Sequence, residues 1–483
     1  MPLATARRTC HRVRRAIHLP LENHVCNEFL RTMTATGHKA RRVSTAGADT
    51  AETRGNNGRR WTRVSLQVVG LCFVINAVDG MNVFLMSYLA PSITSDWSLS
   101  PTTLGEIFGA ALVGMAIGGL IIAPLGDRYG RRPLILASLL MMSAGMVLSG
   151  FAPGVVALLL ARVLVGMGIG TVLACMTALV AEFAPPHRRN FSVGLLQGGY
   201  PIGATATGFV TAWALVHHSW RSILLFSGFG SLVLFPIGLL LLPESVAFLE
   251  HLRAGGSLEP LNYMNHPLDE PSLEASPSRK SPAREKHALS RLLGKSLRHD
   301  TLLLWSAIFF GYMVLYSIVS WIPKLAIDAG LDPKSGIYAG AVYNAGAFAG
   351  TIVLARMSDS ARLKLLITIF LLAAAGLLII FGGVTMPVDA VLATAFAIGV
   401  TLQGGFNGIY PLATCVYPVE VRSSGLGWAM GLGRAGAVMG PMLAGIILSL
   451  HAPLIILFLT LAVALVIASL SAASIRQTSQ LLP

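Results

Sequence analysis

Three ionisable side chains sit where this 483-residue chain can least tolerate charge. Asp79 is the only charged residue between positions 64 and 95, Arg162 lies in an apolar run at 155–181, and Arg434 lies in another at 422–446. Charge inside an apolar span is expensive and is retained where it binds or moves charge. A buried carboxylate can take up and release a proton, and a guanidinium fork can hold a carboxylate through two parallel hydrogen bonds. At roughly 1.5 Å per residue, Asp79 lies about 16 Å below the outer end of its helix and Arg162 about 10 Å deep, so the two can meet near one depth. Arg434 lies about 17 Å from the inner end of its own helix by the same rise.

The elements that carry these residues follow from composition. Hydrophobic residues make up 54% of the chain and charged residues 12%, and the mean hydropathy is +0.67, which excludes a string of soluble domains. The apolar runs are continuous in Leu, Ala, Gly and Val, so they are helices and not the alternating strands of a barrel. Broken at Gly, Pro and polar turns, they give twelve spans: 64–89, 102–125, 133–152, 155–181, 190–214, 221–242, 301–323, 336–356, 364–385, 389–412, 422–446 and 452–473. The expected fold is an all-α membrane protein of two six-helix bundles in a lipid bilayer. Short loops rich in Lys and Arg place both the amino and carboxyl termini in the cytoplasm.

The domain plan reads as a basic tail (1–63), a first bundle (64–249), an inter-bundle loop (250–297), a second bundle (298–475) and a short tail (476–483). The formal charge of +14 comes mostly from the tail, where 13 Lys/Arg face four Asp/Glu. That is an inside-facing anchor, and no nucleic-acid partner is expected. The five Cys are scattered without ligand spacing, and HExxH, P-loop and nucleophile-elbow motifs are missing. No metal, cofactor or enzyme activity is expected.

The two bundles repeat each other. Adding 232 carries Pro91, Gly114, Gly118 and Asp127 to Pro323, Gly346, Gly350 and Asp359; adding 233 carries Gly166, Arg189, Gly198 and Gly203 to Gly399, Arg422, Gly431 and Gly436. Such parallel repeats belong to transporters that rock two halves about a site at mid-membrane. The small-xxx-small pairs Gly114/Gly118, Gly194/Gly198, Gly346/Gly350 and Gly427/Gly431 permit close helix approach. They are also expected to give the halves a smooth surface to move over.

The segment Gly126-Asp127-Arg128-Tyr129-Gly130-Arg131-Arg132 resembles the signature loop of the major facilitator superfamily. Asp79-Gly80-Met81-Asn82, the run Arg162 to Gly170, Ala181 to Pro185, and Tyr417-Pro418 through Arg422 to Arg434 narrow the resemblance to its aromatic acid:proton symporter branch, from about residue 64 to 473. The resemblance implies a monomeric importer of the bacterial inner membrane, carrying an organic acid, most simply an aromatic carboxylate, together with protons. It departs from the pattern at Asn82, where a second Asp is usual, and at Leu173-Ala174-Cys175, where a Pro-Asn pair is usual. A ring-cleavage dicarboxylate such as muconate is therefore the alternative substrate, followed by a sugar porter or drug:proton antiporter of the same fold. The residues expected to handle proton and substrate are Asp79, Asn82, Arg162, Gln197, Tyr200, Asn407, Tyr410, Trp428 and Arg434. Asp127, Arg128, Arg131, Arg132, Glu182, Arg189, Asp359 and Arg422 are expected to gate the cytoplasmic face.

Overall fold

A computed structural model describes residues 63–185, 188–245, 248–249, 291–294, 297–357, 363–417 and 419–476. The helices are α1 (Arg63–Trp97), α2 (Pro101–Ile117), α3 (Arg131–Gly150), α4 (Val155–Phe183), α5 (Arg189–Ala214), α6 (Trp220–Leu241), α7 (Arg298–Asp328), α8 (Pro333–Met357), α9 (Leu363–Gly383), α10 (Val388–Val416), α11 (Val419–Ser449) and α12 (Leu454–Ser474). Eleven helices among the described residues are long and apolar enough to cross a membrane. The remaining one, α5, has 26 residues, ample length for a span, but its Arg, Asn, Gln and Gly content lowers its hydropathy. It is shielded by packing on α1 and α8.

Local chemistry sets the helix starts. Ser100 accepts from the Thr103 amide just before Pro101 opens α2. At the equivalent point of the second half, Asp332 accepts from the Lys334 and Ser335 amides just before Pro333 opens α8. The Ser335 hydroxyl and these amides hold the Asp332 carboxyl below its usual range. α2 ends irregularly, passing through a π turn (Gly118–Ile122) and a 3-10 turn (Ala123–Leu125) into the helical turn Gly126–Tyr129. Gly130 then adopts φ 96°, where only glycine is at ease, and turns the chain into α3 against the Glu244 carboxylate.

The duplication holds at the level of contacts. A Cβ on Gly114 would overlap the Val163 backbone and one on Gly118 the Met167 backbone; on the repeat-equivalent Gly346 and Gly350 it would overlap Phe396 and Val400. Gly203 presses on Ala77 in the same way that Gly436 presses on Phe309. Gly114/Gly118 and Gly346/Gly350 therefore lock α2 to α4 and α8 to α10 within each half and supply no sliding surface between halves. Gly194, Gly427 and Gly431, by contrast, have nothing within 4 Å of an added Cβ.

The halves meet at Ser87, whose hydroxyl donates to the carbonyls of Val319 (3.0 Å), its repeat equivalent, and Ser320 (2.7 Å). Phe108 against Trp321, Phe209 against Tyr338, and Gly105 against Pro441 and Gly445 complete this closure. All lie toward the face opposite the one that carries Arg63, Arg131, Arg189, Arg298 and Lys364.

Candidate functional site

α1 carries the first pole of the site. Asp79 is 1% exposed, and neither carboxylate oxygen has a hydrogen-bond partner among the described residues. It lies four and seven residues before Val83 and Met86, and so on the same stripe of α1. Those two residues line a cavity with Ser87, Phe108, Met115, Arg162, Tyr316 and Ser320. Tyr200 of α5 is in electrostatic reach of Asp79, and its backbone packs so tightly on Gly80 that no Cβ would fit.

Arg162 does not pair with Asp79. Also 1% exposed, it turns into the first half, its terminal nitrogens lying 3.4 Å from Met146 Sδ and 3.4 Å from the Asn82 carbonyl oxygen, while Nε has no partner among the described residues. The Asn82 side chain turns away from the cavity. Its Oδ1 accepts from Ser227 at 3.0 Å and its Nδ2 donates to Ser231 at 3.4 Å, both on α6. Ser227 and Ser231 escaped the sequence reading, although their four-residue spacing in an apolar helix was a visible signal.

The second pole is an aromatic cage built by α7, α10 and α11. The Arg434 guanidinium lies 5.9 Å from the Tyr312 ring centre, in electrostatic reach of the Tyr316, Tyr312, Tyr410 and Tyr200 hydroxyls. One of its terminal nitrogens has no partner among the described residues. The Tyr312 and Tyr410 hydroxyls are 2.6 Å apart, and Phe406 packs between their rings. Only one hydrogen can lie between two hydroxyls, so the pair keeps a second O–H to offer. A guanidinium N–H, a phenol O–H and ring faces are the groups that an aromatic carboxylate needs. Tyr200 reaches both poles. Tyr343, which the sequence reading missed, adds a buried hydroxyl from α8 with no partner among the described residues.

Other expected residues lie further out. Asn407 bridges Gln403 and Thr351 through side-chain hydrogen bonds. Gln197 is exposed, and Trp428 is 45% exposed with its ring 6.3 Å from Trp305.

At the basic face, Arg131 pairs with Glu182, Ser245 donates to the other Glu182 oxygen, and Arg189 Nε donates to the Ala181 carbonyl. Arg132 donates to the Leu239 carbonyl, and Arg128 lies over the Tyr129 ring. Glu244, also missed, accepts from the Arg131 and Arg132 amides at the start of α3. These contacts tie the first half to itself. Asp359 and the side chains of Asp127 and Arg422 lie outside the described residues.

Residues 72–414 match the family model described as Major Facilitator Superfamily, and the chain belongs to that family. It is 32% identical over 402 residues to the gallate transporter of Pseudomonas putida, covering 81% of this chain and 87% of that protein. It is 30% identical to the 4-hydroxybenzoate transporter PcaK of Pseudomonas aeruginosa (80% and 86% covered) and 29% identical to the 3-(3-hydroxy-phenyl)propionate transporter of Escherichia coli (79% and 87%). A D-xylose-proton symporter structure superposes with TM-score 0.68 at 15% identity, covering 86% of this chain and 99% of that one. An inward-facing bacterial homologue of Spinster does so with TM-score 0.62 at 16% identity, covering 86% and 96%. These two likenesses show the fold alone. With its membrane-spanning helices and transporter relatives, the chain is a multi-pass transporter of the bacterial inner membrane.

Proposed function

We propose that this member of the major facilitator superfamily is a proton-coupled importer of an aromatic carboxylate, working by alternating access through twelve spans with both termini in the cytoplasm. The observation that carries the reading is the pairing of poles: a buried Asp79 with no hydrogen-bond partner among the described residues in one half, and Arg434 within a cage of Tyr312, Tyr316 and Tyr410 in the other. The gallate and hydroxybenzoate transporters among the relatives support the substrate class. An inside-negative potential opposes anion entry by about 2.3 kcal/mol per charge per 100 mV, and one co-transported proton cancels that opposition. In this reading Asp79 carries the proton, Arg434 and the phenols hold the carboxylate, and the rings clasp the substrate ring.

The basic face, where Arg131 pairs with Glu182, acts as the cytoplasmic gate. Asp127, Arg128, Arg132, Arg189, Asp359 and Arg422 belong to the same gate, and the chain works as a monomer. The test is uptake by reconstituted vesicles, acidic outside and negative inside, of benzoate, 4-hydroxybenzoate, gallate, phthalate, muconate and glucose. Accumulation of the aromatic monocarboxylates that collapses with the pH gradient is expected. Accumulation of glucose alone would overturn the reading, and muconate alone would shift it to a dicarboxylate.

A further inference from the structure

A guanidinium keeps its charge in proteins and carries five N–H donors. Arg162 directs its terminal nitrogens at two weak partners, the Met146 sulfur and the Asn82 carbonyl oxygen, each at 3.4 Å, and its Nε has no partner among the described residues. The residue is 1% exposed, and no carboxylate among the described residues forms an ion pair with it. A cation buried without a counter-charge is costly, and such a group is retained where it has an anion to meet.

Arg162 forms part of the wall of a cavity between the halves, together with Ser87 of α1, Phe108 and Met115 of α2, and Tyr316 and Ser320 of α7. The same cavity adjoins the contacts that join the halves on the face opposite the basic one. Ser87 donates to the Ser320 carbonyl at 2.7 Å, and Phe108 meets Trp321 edge-on with ring centres 5.4 Å apart. At about 1.5 Å per residue, Arg162, Phe108 and Ser320 lie about 10–12 Å from the ends of their helices at that face, Tyr316 about 18 Å and Arg434 about 22 Å. Tyr316 belongs to both levels, since it lines the cavity and its hydroxyl is hydrogen-bonded to Arg434. An anion moving inward past these contacts therefore comes first to Arg162, then to Tyr316, and then to Arg434.

Resting on the aromatic-carboxylate reading, we propose that the Arg162 cavity is a second carboxylate subsite, reached from the outer face before the Arg434 cage. The guanidinium holds the carboxylate, while Phe108 and the pliable Met115 side chain take the ring. Parting of the outer contacts widens the subsite, because Ser87, Phe108 and Ser320 belong to both. From the inner face an acid reaches Arg434 without passing Arg162. The subsite thus acts on one direction of entry only.

The experiment measures the KM for 4-hydroxybenzoate, or for the aromatic acid most strongly accumulated in the panel above, at each face separately. Counterflow is followed at equal pH on both sides, with the full chain in right-side-out and in inside-out membrane vesicles, so that neither KM depends on how much protein folds. Arg162→Gln should raise the outer KM about fivefold or more, as for loss of a hydrogen bond to a charged group, and leave the inner KM unchanged. Arg434→Gln should raise both. Inhibition from the outer face by the neutral carboxamide of the same acid should be equal in wild type and Arg162→Gln. The proposal is overturned by an unmoved outer KM, by equal rises at the two faces, by opposite shifts that mark an altered balance of conformations, or by a parallel loss for the carboxamide. If Arg162→Gln does not fold, Ser320→Asp decides: a carboxylate fixed in the cavity pairs with Arg162 and should raise the outer KM alone. Failure of the wild type to exchange any aromatic acid would sink the underlying reading, whereas wild-type exchange beside an unmoved outer KM sinks only the subsite.

Discussion

Carrying each polar residue of the site across by the repeat offset gives its counterpart in the other half, and the counterparts are chemically unlike. Asp79, Asn82 and Arg162 correspond to Gly311, Val314 and Ala395; Tyr312, Tyr316 and Arg434 correspond to Gly80, Phe84 and Pro201. The empty counterparts are filled by packing: a Cβ on Gly311 would run into the Phe406 ring, and one on Gly80 into the Tyr200 backbone. Glycine contacts such as Gly114 on Val163 and Gly346 on Phe396 are meanwhile kept in both halves. Duplication thus preserved the frame, while divergence placed the buried Asp79 carboxylate in one half and the cage of tyrosines around Arg434 in the other. In the proposed reading, coupling follows because proton and substrate sit on two bodies that must close together.

The largest test of this division is Asp79→Asn, a permanent mimic of the protonated state. Net uphill uptake should fall by about a hundredfold or more, in line with loss of an essential proton-transfer group, while exchange of internal for external substrate persists. Surviving pH-driven accumulation would move the proton to Glu106 or Glu182.

Next come the two arginines. Arg434→Lys should weaken carboxylate affinity about tenfold or more, because an ammonium does not reproduce a planar fork. Sequence depth suggests that Arg162 could touch substrate, but its place in the cavity wall beside Met146 and the Asn82 carbonyl, apart from the Arg434 cage, predicts that Arg162→Lys costs less affinity than Arg434→Lys. Competition binding with 4-hydroxybenzoate at fixed pH separates the two, and equal affinity losses would erase the distinction between the halves.

Tyr312→Phe probes the cage more gently. Losing one hydroxyl of the Tyr312–Tyr410 pair should cost about 1 kcal/mol, roughly fivefold in affinity, and the cost should vanish for a ligand lacking a carboxylate. A still smaller functional effect, but a clear one on stability, separates the locked glycines from the open ones. Gly203→Val and Gly436→Val should each destabilise by roughly 1–3 kcal/mol through overpacking, against nearly no change for Gly194→Ala, as read by thermal unfolding in detergent.

The smallest difference expected is at the paired helix caps. Because its partners lower the folded-state pKa of Asp332, its contribution is present above the carboxylate range and lost as pH falls through it. The contribution of Ser100 at the start of α2 carries no charge. The Tm gap between wild type and Asp332→Ala should therefore close on acidification, while that for Ser100→Ala should not.

The sequence by itself determined the helices, the duplication and the basic face. Hydropathy marks spans because a bilayer tolerates no unpaired backbone, and a shared offset between Asp, Arg and Pro positions survives divergence. It also singled out Asp79, Arg162 and Arg434, since any charge in an apolar run stands out. α5 was legible from its place in the repeat, although its own composition is too polar to mark it as a span. What sequence could not decide was direction. Depth along a helix follows from 1.5 Å per residue, but the azimuth of a side chain depends on which helices pack around it. Tertiary structure alone turned Arg162 toward Met146 and Asn82 and away from Asp79, drew Ser227 and Ser231 onto Asn82 across 145 and 149 positions of chain, and gathered Tyr312, Tyr410 and Arg434 from three helices into one cage. Those contacts depend on close packing between segments far apart in sequence, and no local pattern of residues encodes which face meets which.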